Sequence, residues 1–217
     1  MEIALCKKFA DAEIDNPTLE VSKQILAANK IQKDENGYCL DRYFLDERDK
    51  TIDFCYKIEN EKYFLLISID IKTKGIDWVA LRNSNECYLT ATSWDLSLQE
   101  LAEITTLKHT SGWSKGDKIS HGSVYSYSRI NFKLVEKTSH ELEVALSLLL
   151  DELEKDKNGI VELTKKSSAY IAIYKYQYIS GNPGMSLKIE TINRLSNLNL
   201  GFAVDVSIAC EKCPSGV

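Results

Sequence analysis

From Ser168 to Ile179 the chain reads Ser-Ala-Tyr-Ile-Ala-Ile-Tyr-Lys-Tyr-Gln-Tyr-Ile, an alternation that leaves little choice of local structure. Tyrosine and isoleucine favour extended chain, and successive side chains of a strand point to opposite faces. Ile171 and Ile173 therefore share one face, and Tyr170, Tyr174, Tyr176 and Tyr178 share the other. Core packing accounts for the isoleucines. The tyrosine row has two accounts: a second core covered by another part of the chain, or a docking surface. Tyrosine suits the latter because it joins a large rigid ring to a polar tip and is enriched at binding hot spots. Tyr125 and Tyr127 would extend the row, and Asp205 would border it, where their strands neighbour this one.

The surrounding segments define the fold expected around that strand. Asn16-Pro17 reads as a helix start after a short strand over Glu2 to Phe9, with Val21, Ile25 and Ala28 as the apolar stripe and Asp34 to Gly37 as a turn. Asp41 to Lys50 is dense in charge and reads as a surface connection; Ile52–Glu59, Tyr63–Thr73 and Ile76–Leu81 read as a meander. Arg82-Asn83-Ser84-Asn85 is the expected boundary. Beyond it come a strand over Glu86–Ser93 and a helix opened by a Ser97/Glu100 capping box with a Leu96/Leu101 staple. A strand over Tyr125–Val135 follows. A second capping box, Thr138/Glu141, opens a helix with Leu142, Ala145, Leu146, Leu149 and Leu153 on one side, and Asn158-Gly159 is expected to end it. After the tyrosine strand, Ser186 would cap a helix burying Ile189, Ile192 and Leu195, and Phe202, Val204, Val206 and Ile208 would face inward from a last strand.

This order predicts an α+β fold: an antiparallel or mixed sheet with helices packed on one face, plus a smaller N-terminal helix-and-meander subdomain. The expected division is residues 1–84, residues 85–210 and a tail over 211–217.

Composition removes several functions. With 44% hydrophobic and 27% charged residues, the 217-residue chain is too apolar for disorder and long enough to build a core. A net charge of −5 with both signs interspersed argues against a nucleic-acid binder, which would carry a basic face, and suits a basic partner weakly. Glu2, Lys7, Lys8, Asp11, Glu13 and Asp15 leave no apolar stretch for a signal peptide, and no apolar run approaches a membrane span, so a cytoplasmic location with reduced thiols is expected. Cys6, Cys39, Cys55 and Cys87 then read as small buried hydrophobes.

Chemistry-bearing motifs are sparse. In the loop Trp113-Ser-Lys115-Gly116-Asp117, Lys115 and the Gly116 backbone would approach an anion with Trp113 as a stacking surface; the alternative is a turn in which Gly116 supplies a positive φ. The loop lacks the spacing of a phosphate-binding loop. His109 and His121 flank it, His140 stands apart in a helix's first turn, and no residue pattern pairs any of them with a nucleophile. Cys210 and Cys213 lack the second pair that a zinc site needs and precede no helix, so neither a metal nor a redox role is assigned. No cofactor and no catalytic residue is expected.

The second half, with its Trp-x-Lys-Gly-Asp loop, leucine-rich helix, tyrosine strand and closing Asp205-Val206-Ser207-Ile208 segment, resembles a bacterial family catalogued as a domain of unknown function, number forty-two seventy-nine. The resemblance implies a fold and bacterial origin over roughly Glu86 to Cys210 and carries no activity. Function is therefore expected from surface chemistry. The leading expectation is a non-enzymatic module that binds a protein, in its most concrete form an immunity or antitoxin protein occluding a basic toxin or effector. The rival is a small-molecule or nucleotide binder, with or without catalysis, using a pocket at Trp113 to Asp117.

Overall fold

The computed structural model describes residues 2–119, 122–134, 141–179 and 184–209. They form an α+β fold in two compact units. The first runs from the N-terminus to Ser84 and takes in the segments that begin at Tyr176 and at Ser207; the second holds Asn85–Lys175 and Gly184–Val206.

The first unit opens with helices, α1 (Glu2–Asp15) and α2 (Glu20–Ala28). The short strand expected over Glu2 to Phe9 is thus helical: Cys6, Ala10 and Ile14 recur every four residues and are all buried, a helical period that overrides a local strand pattern. Asn16-Pro17 does not start α2. Instead the buried Glu13 carboxylate accepts from the backbone N–H groups of Thr18 and Leu19, supplying from α1 the cap that α2 lacks of its own. Burial raises that carboxyl's pKa, but the polar groups turned toward it, Ser22 first and then Thr18 and Leu19, prevail and hold it below its ordinary value. Ser22, Ile25 and Leu26 face inward on α2, whereas Val21 and Ala28 face solvent.

A hairpin, β1 (Lys33–Asp34) and β2 (Gly37–Tyr38), turns where expected, with Gly37 at φ 111°. The charge-dense stretch after it is a strand, β3 (Leu40–Asp46), and pairs antiparallel with β4 (Thr51–Lys57). Its charges, Asp41, Arg42 and Asp46, flank the run Tyr43-Phe44-Leu45, and a partner strand outweighs their polarity. Then come β5 (Phe64–Asp70) and β6 (Ile76–Arg82), giving the order β3-β4-β5-β6. Phe54, Tyr56, Leu65, Ile67 and Ile69 pack beneath the helices, and Cys55, Phe64 and Leu66 make a smaller cluster on the opposite face. The units divide between Ser84 and Asn85, where β6 ends at Arg82 and the next strand begins at Ser84.

The second unit is built on β7 (Ser84–Ser93), α3 (Leu98–Glu103), β8 (Ser111–Trp113), β9 (Ser128–Lys133), α4 (Leu142–Leu153), α5 (Lys157–Lys166), β10 (Ser168–Tyr178), α6 (Ile189–Asn197) and β11 (Gly201–Ala209). Its sheet runs β11-β10-β7-β9-β8. One face is apolar: Cys87, Leu89, Ala91, Ile130, Phe132, Ile171 and Ile173 meet Leu101 of α3, Leu146, Leu149 and Leu150 of α4, Ile160 and Leu163 of α5, and Leu195 of α6. The Ser97/Glu100 capping box is present in full.

Several expectations fail here. Asn158-Gly159 does not end the long helix: α4 stops at Leu153, and Asp156 caps a new helix by accepting from the Gly159 N–H. α6 begins at Ile189 with no side-chain cap from Ser186; the Glu143 carboxylate accepts from the Lys188 N–H and the Thr191 hydroxyl. Ile189 and Ile192 consequently face outward, leaving Thr191 and Leu195 buried. On β11, at the sheet edge, Val204 packs on the second unit's core, while Phe202, Val206 and Ile208 are exposed. Tyr125 and Tyr127 precede β9 instead of belonging to it. Thr138, His121, His140, Cys210, Cys213 and the tail lie outside the described residues.

Candidate functional site

Alternation across the second unit's sheet decides what its other face displays. With Leu89 and Ala91 directed to the helices, Tyr88, Thr90 and Thr92 of β7 point away; with Ile130 and Phe132 inward, Arg129, Asn131 and Lys133 of β9 do the same. Strand register then aligns them, Tyr88 opposite Lys133, Thr90 opposite Asn131, and Trp113 of β8 opposite Arg129. On β10, Tyr170 and Tyr174 complete the face.

A band of rings and one guanidinium results. Tyr174 stacks on Tyr88 with centroids 5.5 Å apart and 12° between planes. Burial first, and the neighbouring Tyr174 hydroxyl second, push the Tyr88 phenol above its ordinary range, so that ring is neutral over the physiological pH range. Farther along, Arg129 sits over Trp113, 5.5 Å from the ring centroid, and its Nε–H donates to the Thr90 hydroxyl at 2.8 Å and to Asn131 Oδ1 at 3.1 Å. Asn131 in turn donates to Ser111 Oγ at 3.0 Å, which fixes its amide with the oxygen toward Arg129. Glu86 and Lys133 form an ion pair at 2.9 Å. The rings of the band are half-buried, so each keeps contact area to offer.

Beyond Trp113 the aromatic set continues. Trp113 stacks on Tyr125 at 4.4 Å, and Tyr127 lies between Trp113 at 6.2 Å and Trp94 at 5.6 Å. Trp94 is 63% exposed, unusual for the largest side chain. The Trp113 indole N–H is buried and lacks a hydrogen-bond partner among the described residues.

The loop itself reads as a turn. Lys115 Nζ donates to the Trp94 carbonyl at 3.1 Å and its backbone N–H to Ser128 Oγ at 2.9 Å. Gly116 has φ 92° and donates to the Tyr125 carbonyl, and Asp117 accepts from the Ser114 N–H at 2.7 Å. The groups that would have bound an anion are engaged in holding the loop.

The other sequence candidates divide between the units. Tyr176 and Tyr178 belong to the first. There Lys62 Nζ donates to the Tyr176 hydroxyl at 2.9 Å, and Tyr178 packs against Tyr63 with centroids 5.7 Å apart. Tyr178 also lines a cleft of about 600 Å³ with Gln24, Asn29, Glu59 and Tyr63. Asp205 is exposed on β11. Sequence reasoning missed Tyr88, Arg129 and Trp94. The first two carried a signal, since each alternates with core residues on its strand, but only register could show that they meet Tyr174 and Trp113.

No group of three His, Cys, Asp or Glu side chains that would hold a metal ion occurs among the described residues, and no described helix is long and apolar enough to cross a membrane.

The fold and this face define an α+β sheet protein with helices on one side and aromatic side chains on the other. Residues 82–209, more than half of the chain, match the family described as domain of unknown function (DUF4279), and the protein belongs to that family. Comparison with curated proteins and with solved structures found no match.

Proposed function

We propose that the protein is a non-catalytic interaction module that captures a protein partner on the face of the five-stranded sheet opposite the helices, most concretely as an immunity or antitoxin protein in a bacterial cell. The observation that carries this reading is the row Tyr170, Tyr174, Tyr88, Arg129 and Trp113, gathered from separate strands onto one face. Half-buried rings with a guanidinium among them are the composition of binding hot spots, because rigid rings lose little entropy on docking. The net charge of −5 supports a basic partner at long range, where only summed charge matters.

The test uses the full-length protein as bait in native-host lysate, then reconstitution of the captured partner from purified components. Saturable binding lost on replacing Tyr88 and Tyr174 supports the reading. Binding untouched by that pair, or catalytic turnover of a small molecule by the purified protein, defeats it.

A further inference from the structure

We infer that Arg129 anchors an Asp or Glu side chain of the docked partner, an assignment that rests on the docking reading above and names the chemistry at its centre. Four features of the guanidinium lead there. Its Nε–H is fully engaged, shared between the Thr90 hydroxyl and the Asn131 amide oxygen. Both supports are themselves fixed: Thr90 is completely buried, and Asn131 is held by Ser111. Its Cζ lies over the Trp113 ring, 5.5 Å from the centroid, so the indole bounds one side of the fork. The terminal amino groups have no hydrogen-bond or ion-pair partner among the described residues, and Glu86, the carboxylate at the start of β7, is paired with Lys133.

A guanidinium held from its Nε side presents the Nη1/Nη2 edge, whose parallel N–H pair matches the two oxygens of a carboxylate. An arginine needed only for solubility would lie extended in water, without a buried hydroxyl, an amide and an indole arranged around it. Fixing the side chain beforehand removes the entropy that a long flexible cation loses on pairing, so the contact gains most of its strength at the moment of docking. The rings of Tyr88 and Trp113, on the strands flanking β9, then exclude water from the pair. The net acidity of the chain and this local cation do different things: the first draws a basic partner from a distance, the second fixes where one of its carboxylates lands.

The experiment follows the Arg129 Nε–H and Trp113 indole N–H signals by NMR in the full-length protein. The probes are N-acetylglutamate α-amide, its glutamine counterpart and inorganic phosphate. Saturable shifts of both signals with the glutamate compound, absent with the glutamine one and weaker with phosphate, are expected. Arg129→Lys, which keeps the charge and loses the fork, should weaken that binding by about tenfold or more. Equal response to the glutamine compound, tighter binding of phosphate, or no saturation overturns the assignment, and because these arms use the unmutated protein they do not depend on a variant folding. The partner arm separates this idea from the one beneath it. A partner that needs Tyr88 and Tyr174 yet binds Arg129→Lys at full strength leaves docking intact and removes the carboxylate anchor. A saturable fragment in a protein that captures no partner removes the docking reading and, with it, the assignment to a protein side chain.

Discussion

Tyr174 and Tyr88 lie almost parallel, 12° between planes with centroids 5.5 Å apart, although 86 positions separate them in the chain (174 − 88). The stack joins two neighbouring strands on the face opposite the helices. Replacing Tyr174 by alanine removes the stack and should cost about 1 kcal/mol of stability, measured by urea unfolding. Loss of partner affinity should exceed ~2 kcal/mol if the ring is an anchor. A variant that loses several times more stability than affinity would make the ring a core element.

Asp156 ties α5 to the segment after α3. It accepts from Gly159 N–H, from the Thr105 hydroxyl and from both the N–H and hydroxyl of Thr106. The Thr106 N–H first, then the Thr105 hydroxyl, hold its pKa at about 2 against an ordinary 3.8. A carboxyl depressed on folding stabilises above its unfolded pKa, and that contribution fades as pH falls from 3.8 towards 2. The stability gap between wild type and Asp156→Asn should therefore be constant near neutrality and close across that acidic window. A gap that widened on acidification would contradict the assignment.

Gly112 lies where β8 crosses close to β9. A Cβ there would overlap the Arg129 carbonyl oxygen and the end of Leu98, and the first is backbone that cannot rotate away. Gly112→Ala should cost about 1–3 kcal/mol and change Trp113 fluorescence, since the strand that seats the indole must shift. An unchanged melting temperature and spectrum would show that β8 yields freely.

Thiol reactivity tests the two cores separately. Burial pushes the thiols of Cys55, in the first unit, and Cys87, in the second, to about 12. At neutral pH neither is a thiolate, and alkylation followed by peptide mapping should label Cys39, the partly exposed one, well before Cys6, Cys55 or Cys87. Early labelling of Cys87 would mean that the helix-covered face opens in the native state.

Where the sequence was legible, a local rule decided the outcome. The Ser97/Glu100 capping box, the leucine stripe of α4 and the strand alternation around Ile171 all rest on neighbours within a turn or two. Failures came where a distant group took over a local task. Glu13, and not Asn16-Pro17, caps α2, and Glu143 does the same for α6, so neither cap is visible beside the helix it serves. Asn158-Gly159 carries the chemistry of a stop, yet the Asp156 carboxylate turns that glycine into the third residue of a new helix. The candidate face divided in the same way: alternation placed the tyrosines, and pairing register, which no single strand encodes, brought Tyr88 and Arg129 beside them.

β10 leaves the second unit at Lys175 and enters the first at Tyr176, and β11 makes the same passage between Val206 and Ser207. Tyr178 and Ala209 thereby pack on a core otherwise drawn from the opening third of the chain. During synthesis those opening residues emerge long before the late strand ends that join their unit, so the first core stays incomplete until the ends of β10 and β11 have also been made. Expression of residues 1–84 alone would release a fragment missing the pieces that close it, and the family segment alone would carry those pieces with nothing to pack against.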